Sequence, residues 1–322
     1  MNTKYANAVA AVRAMESTLL TQSDMERMAA AKDTAEIAEI LNSCGKALPK
    51  DKEELLCTLD NELQSVWEFL CDYAPGNPEL EILLYKNNFH NLKAALKALI
   101  MNADAERLFI RPSSIPLEEL TDIVSAKHYN MLPEYMQEAA VEAYNILTRT
   151  LDGQLTDAIL DTAAMRAMQT ASEKNDSVLL QKYAQLITVC ADIKTAYRCS
   201  YMHKSELFLD TAVCGSRELD KSSLIRAAVR GTDSLIAYLK GTSYNEAAEA
   251  LTISAACFEK WCDDAVITLA EEAKMKAFGI EPLAAYYLAK ETEVKNLRIL
   301  LTCKNCGAST ETITERMRKL YV

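Results

Sequence analysis

Glycine and proline are scarce, at 8 and 7 of 322 residues, which excludes the many tight turns that a sandwich or barrel of short strands requires. No two glycines lie closer than Gly231 and Gly241, so no loop can converge several backbone N–H groups on a phosphate. Gly45-Lys46 is followed by Ala47, and Ile40 stands where the first glycine of a P-loop belongs. Direct nucleotide binding by a P-loop or dinucleotide fold is thereby excluded, and no cofactor is expected. Histidine is rarer still: His90, His128 and His203 are far apart, and none has a carboxylate three residues before it. The Glu-x-x-His pairs of di-iron helical bundles are absent. Each imidazole is expected to pack or to face solvent.

Basic charge and long apolar runs are lacking as well. With 35 Lys and Arg against 46 Asp and Glu, the formal net charge is -11, which repels nucleic-acid phosphates and anionic lipid headgroups. Weakly polar stretches such as Ala250 to Phe258 fall far short of the roughly 20 residues that cross a bilayer as a helix. Lys4, Arg13 and Glu16 interrupt the N-terminal apolar residues, so no secretory leader is expected. The 10 cysteines are spread along the chain and are expected as reduced thiols in the cytoplasm. Cys303-Lys304-Asn305-Cys306 has the spacing of a zinc half-site or redox pair, but no second Cys-x-x-Cys completes it, and Cys257 and Cys262 are five apart. Asp263-Asp264 is followed by Ala265, Val266 and Ile267 rather than a further carboxylate. It reads as a helix-surface pair, not a metal motif.

Half the residues are apolar and a quarter charged, enough to build a core, and abundant Ala, Leu, Glu and Lys favour an all-α fold. Breaks cluster at Asn42 to Lys52, Ala74 to Pro78, Arg111 to Pro116, Thr170 to Asp176, Cys214 to Ser223, Lys240 to Asn245, Phe278 to Pro282 and Lys304 to Ser309. The stretches between them are helix-length. Among these, Trp67, Phe69, Tyr286 and Tyr287 lie among apolar neighbours and read as core.

A basic segment recurs three times. Asn91-Leu92-Lys93-Ala94-Ala95-Leu96 is followed by Asp192-Ile193-Lys194-Thr195-Ala196-Tyr197-Arg198 and Glu293-Val294-Lys295-Asn296-Leu297-Arg298, each lysine 101 residues after the one before. A second register places Lys32, Lys127 and Arg230 after small or apolar residues, at offsets of 95 and 103. Equal spacing predicts three divergent helical units, divided as 1–110, 111–205 and 206–322. Val294, Leu297 and Leu301 share one helical face with Lys295 and Arg298 beside it, and Glu291, four residues before Lys295, is placed for an ion pair. Lys32, Lys127, Arg230, Lys93, Lys194, Lys295 and Arg298 are candidate partner-binding residues. The competing reading is a solvated helical face.

Both chain ends carry a further pattern: Ala10-Ala11-Val12-Arg13-Ala14-Met15-Glu16 with Leu19-Leu20, Glu281-Pro282-Leu283-Ala284-Ala285-Tyr286-Tyr287-Leu288-Ala289-Lys290-Glu291 running on to Leu300, and Glu315-Arg316-Met317-Arg318-Lys319-Leu320-Tyr321-Val322. This ensemble resembles the C-type central-stalk component of the bacterial and archaeal V-type (A-type) rotary ATPases, the counterpart of the d component in eukaryotic vacuolar ATPases. The cysteines at 303 and 306 depart from the usual continuation of that helix. The resemblance implies a funnel of three similar helical domains about a pseudo-threefold axis. It also implies a non-catalytic coupler between the central shaft, made of the D and F subunits, and the membrane proteolipid ring, held at the cytoplasmic face of the membrane through that ring. A helical adaptor with other partners, or a helical enzyme, are the alternatives; the end motifs speak against the first and the absent catalytic spacing against the second.

Overall fold

The computed structural model describes residues 5–46, 52–74, 76, 78–101 and 104–322, and every regular element among them is helical. In chain order these are α1 (Ala6–Glu16), α2 (Gln22–Ala30), α3 (Thr34–Ser43), α4 (Lys52–Tyr73), α5 (Pro78–Glu81), α6 (Tyr85–Met101), α7 (Leu117–Ala126), α8 (Glu134–Thr150), α9 (Gly153–Glu173), α10 (Val178–Tyr201), α11 (Glu206–Ala212), α12 (Lys221–Val229), α13 (Thr232–Lys240), α14 (Asn245–Ile253), α15 (Ala255–Glu271), α16 (Glu281–Asn305) and α17 (Thr310–Arg316). The all-α expectation holds. The break read over Asn42 to Lys52 runs into residues outside the described ones, as do Ala47 and part of the break at Ala74 to Pro78.

Short polar side chains start many of these helices. Thr21 and Asp24 form a reciprocal capping box at α2, and Asp152, Ser177, Ser205, Asp220, Ser254 and Ser309 each accept a backbone N–H three residues on. Such caps satisfy donors that the first turn leaves without a partner. Lys127 and Leu151 end α7 and α8 in the left-handed region at φ 59° and 53°, where the chain turns without a glycine.

The chain divides into two compact units. One joins both ends, residues 1–77 and 253–322, and is organised on α16, which packs against α1, α4, α15 and α17. Buried side chains face almost every direction from α16, as in a helix surrounded by protein. Leu297, Leu300 and Leu301 close over Leu20, Met25, Met28 and Ile37, each leucine contributing about 1.5–3 kcal/mol by its burial. Tyr287 meets Trp67 edge-on with ring centres 5.6 Å apart, and Tyr286 meets Phe69 at 6.4 Å. Tyr286 and Tyr287 lie in the core as expected, while Trp67 and Phe69 are half-buried against them.

The other unit, residues 78–252, is organised on α9, which packs against α6, α8, α10 and α11. From α8, Met136, Ala140, Ala143 and Leu147 form its buried stripe at helical spacing. The buried side of α9 mixes large residues, Ile159, Leu160, Met165 and Met168, with the small Ala158 and Ala164.

Candidate functional site

The second repeated register occupies one kind of structural position three times. Lys32 follows the last turn of α2, while Lys127 and Arg230 are the residues that close α7 and α12. All three are exposed. A cation there complements the partial negative charge of a helix C-terminus. Lys127 also lies 5.0 Å over the ring of Tyr144. The main chain of Lys32 donates to Glu36 at 2.7 Å, and the end of α2 is held by Lys304, whose ammonium donates to the carbonyls of Ala29 and Ala31 at 2.6 Å each.

The first register behaves differently. Lys93 on α6 pairs with Asp161 on α9 at 2.6 Å, and Lys295 on α16 pairs with Asp263 on α15 at 2.7 Å. Lys194 on α10 is half-buried and Arg298 on α16 is exposed. The expected partner of Lys295, Glu291, is replaced by Asp263, a carboxylate on the neighbouring helix that also accepts from Arg318 Nε at 2.8 Å. Burial opposes the charge of Asp263, yet Lys295 and Arg318 outweigh it and hold its pKa below the ordinary value. Asp263 and Asp264 are therefore anchors rather than a plain surface pair: Asp264 accepts the N–H of Lys319 at 2.6 Å.

The end motifs converge within one unit. The guanidinium of Arg13 donates to both oxygens of Glu16 at 2.7 Å and to the carbonyls of Ala273 and Lys276 at 2.7 and 2.9 Å. Tyr321 reaches Glu16 at 3.3 Å, and Lys274 sits 4.7 Å over the Tyr321 ring. Asn296 exchanges two hydrogen bonds with the main chain of Arg318, at 3.0 and 2.7 Å. These residues clasp the two ends of the chain to α15 and α16.

Inside the same unit lies a charge cluster that the sequence reading missed. Lys290 and Glu293, one helical turn apart on α16, bond at 2.8 Å, and Lys46 joins Glu293 while Glu62 joins Lys290. Two cations face two carboxylates, so the buried charge sums to zero. Burial alone lowers the pKa of Lys290, but Glu293 and Glu62 outweigh it and the net shift is upward. Burial likewise opposes the charge of Glu62, which Lys290 and Lys46 outweigh, holding its pKa below the ordinary range.

The other unit has a solitary counterpart. Asp192 on α10 accepts the N–H of Cys214 at 2.7 Å and that of Gly215 at 2.8 Å. Burial pushes its carboxyl up to about 6 against those two bonds and the more distant charge of Lys221. Burial, with Asp192 beside it, pushes the Cys214 thiol up to about 11. Cys303 is buried in the core of its unit and Cys306 is exposed; no group of three or more potential metal ligands occurs among the described residues. His90 faces the carbonyl of Leu108 at 2.9 Å, and His128 and His203 are exposed.

What this arrangement defines is a helical protein whose charged groups brace its own helices and whose short helices end in exposed cations. The chain belongs to the ATP synthase (C/AC39) subunit family, whose model matches residues 8–316. It is 28% identical to the C-type subunit of the V-type sodium ATPase of Enterococcus hirae, over 96% of this chain and 97% of that protein. The C-type subunits of the A-type ATP synthases of Methanocaldococcus jannaschii and Halorubrum lacusprofundi are each 23% identical, covering 83% and 80% of this chain and 71% and 79% of their own lengths. No helix among the described residues is long and apolar enough to cross a membrane.

Proposed function

We propose that the chain is the non-catalytic C-type subunit of a V-type or A-type rotary ATPase, coupling the shaft of the D and F subunits to the proteolipid ring for ATP-linked proton or sodium transport. In this reading it stands at the cytoplasmic face of the membrane, touching the bilayer only through the ring. The observation that carries the reading is extent: the alignment to the Enterococcus protein covers 96% of this chain and 97% of that protein, so the likeness is not confined to one segment. The chemistry is compatible, because a torque coupler needs stiffness and polar surfaces on which many weak contacts fix register together. The three-unit plan, 1–110, 111–205 and 206–322, belongs to the same proposal. It is supported by the like placement of Lys32, Lys127 and Arg230 at the ends of three short helices.

The test is a pull-down of the purified chain against co-expressed D and F, and separately against the detergent-solubilised ring, at low and high salt. Salt-sensitive one-to-one capture of D and F supports the coupler. Folded proteins that fail to associate at any salt return the chain to the class of helical adaptors. Reversing the charges of Lys32, Lys127 and Arg230 together is expected to weaken one of the two captures, and intact capture of both removes that trio from the interface.

A further inference from the structure

The first residues of the three repeated segments, Asn91, Asp192 and Glu293, stand two positions before the repeated lysines and 101 residues apart. All three are buried polar residues, 0%, 3% and 1% exposed. A buried polar group must find a partner, but nothing in that rule says which partner. Here all three choose the same kind. Asn91 accepts the N–H of Ile110 at 2.8 Å and donates to its carbonyl at 2.9 Å. Asp192 accepts the N–H groups of Cys214 and Gly215, and Glu293 accepts the N–H of Leu20 at 2.6 Å.

Each target is the main chain that leads into a short helix of the second register. Ile110 precedes α7, Cys214 and Gly215 precede α12, and Leu20 precedes α2. The long helices α6 and α10 grip the segment that follows them. The third, α16, grips a segment 273 residues earlier, which is possible because both chain ends share one unit. Each long helix of the repeat thus holds the entry of the next short helix of the second register, beyond α11 in the case of α10, and the last holds the first.

We propose that Asn91, Asp192 and Glu293 are equivalent positioning residues, each fixing from inside a long helix the entry of one short helix and thereby the placement of Lys127, Arg230 and Lys32 respectively. The grip stands on its own; its use in setting a partner-binding surface rests on the coupling function proposed above. The first grip is reinforced, since Asn88 one turn away accepts the N–H of Ser114 at 3.0 Å. At the second, Asp192 itself takes both N–H groups.

Hydrogen exchange of the full chain, followed peptide by peptide, tests the grip. Asp192→Ala is expected to accelerate exchange at Cys214 and Gly215 about tenfold or more, the factor set by a lost hydrogen bond, with segments 19–21 and 109–115 unchanged. Asp192→Asn, which keeps one acceptor oxygen, is expected to recover part of the protection. Asn91→Ala is expected to loosen 109–111 and to spare 113–115, where Asn88 holds. Unchanged exchange at Cys214 and Gly215, or acceleration spread evenly over all peptides, overturns the proposal. The same variants then enter the D–F and ring pull-downs. Local loosening with undiminished capture overturns the positioning role, whereas a wild-type chain that captures neither refutes the coupler and leaves the exchange result to decide the grip.

Discussion

Asp192 and Glu293 occupy the same position in their long helices and perform the same grip, yet their surroundings differ in one respect. Glu293 shares a buried cluster with Lys46, Glu62 and Lys290, whereas Asp192 holds its charge against burial with two N–H dipoles and a more distant Lys221. Asn91 makes the third grip with no charge at all. The contrast teaches that main-chain geometry sets the requirement for an acceptor oxygen, while its charge is free to vary. Where the carboxylate stands alone, burial raises its pKa and makes it sensitive to pH.

The largest effect is expected at the paired site. Glu293→Ala removes one carboxylate from a neutral cluster, leaving Lys290 and Lys46 to share Glu62, and releases the N–H of Leu20. Loss of one member of a buried ion pair costs about 3–5 kcal/mol, to be read from urea denaturation. Lys290→Met combined with Glu293→Gln keeps an acceptor for Leu20 and removes both charges, so the double variant is expected to lose less than Glu293→Ala. An equal or greater loss breaks the argument that charge balance dominates there.

Next in size is the pH response of Asp192. Its native carboxyl binds a proton more tightly than the unfolded one, so the stability it contributes is present at low pH and is lost as pH rises from the ordinary aspartate value towards about 6. The gap from 3.8 to about 6 corresponds to about 3 kcal/mol. Glu62, held low by its lysines, acts in the opposite direction: its contribution is present above the ordinary carboxylate range and fades as pH falls. The difference between wild type and Asp192→Asn, measured by denaturation between pH 4 and 7, therefore isolates the solitary group. Parallel curves for the two proteins would remove the distinction between the gripping carboxylates.

Much of the fold was legible because helix breaks are chemical. Arg111 to Pro116 falls between helices, Lys240 to Asn245 spans the turn from the last residue of α13 to the first of α14, and Lys304 to Ser309 covers the end of α16 and the turn after it. Among the turns that escaped notice, those at Leu151 and His203 put a residue other than glycine at positive φ, and a following Asp152 or Ser205 supplies the cap. The repeated lysines stood out because their residue type is the same. The grips two positions earlier did not, because Asn, Asp and Glu share only an acceptor oxygen. Nor does a contact such as Glu293 to Leu20, across 273 residues, leave any local signal. The partner of Lys295 was misjudged for a similar reason: Glu291 is near in sequence, but Asp263 is the carboxylate that meets the lysine in space.

That last pair supplies the smallest and sharpest comparison. Asp161 and Asp263 stand 102 residues apart on α9 and α15, and each meets a repeated lysine, Lys93 or Lys295. The side chain of Asp161 is 67% exposed, that of Asp263 21%. Asp263→Ala leaves Lys295 and the Nε–H of Arg318 without their acceptor and is expected to cost about 1–3 kcal/mol, with faster amide exchange at Arg318 and Lys319. Asp161→Ala breaks a pair open to water, screened by salt, and is expected to cost less than about 1 kcal/mol, vanishing at high ionic strength. If the two substitutions cost the same at low and at high salt, exposure is not what separates them. If only the Asp263 loss survives salt, that aspartate braces the fold, and charge reversal of Lys93 leaves stability nearly intact while testing partner contact directly.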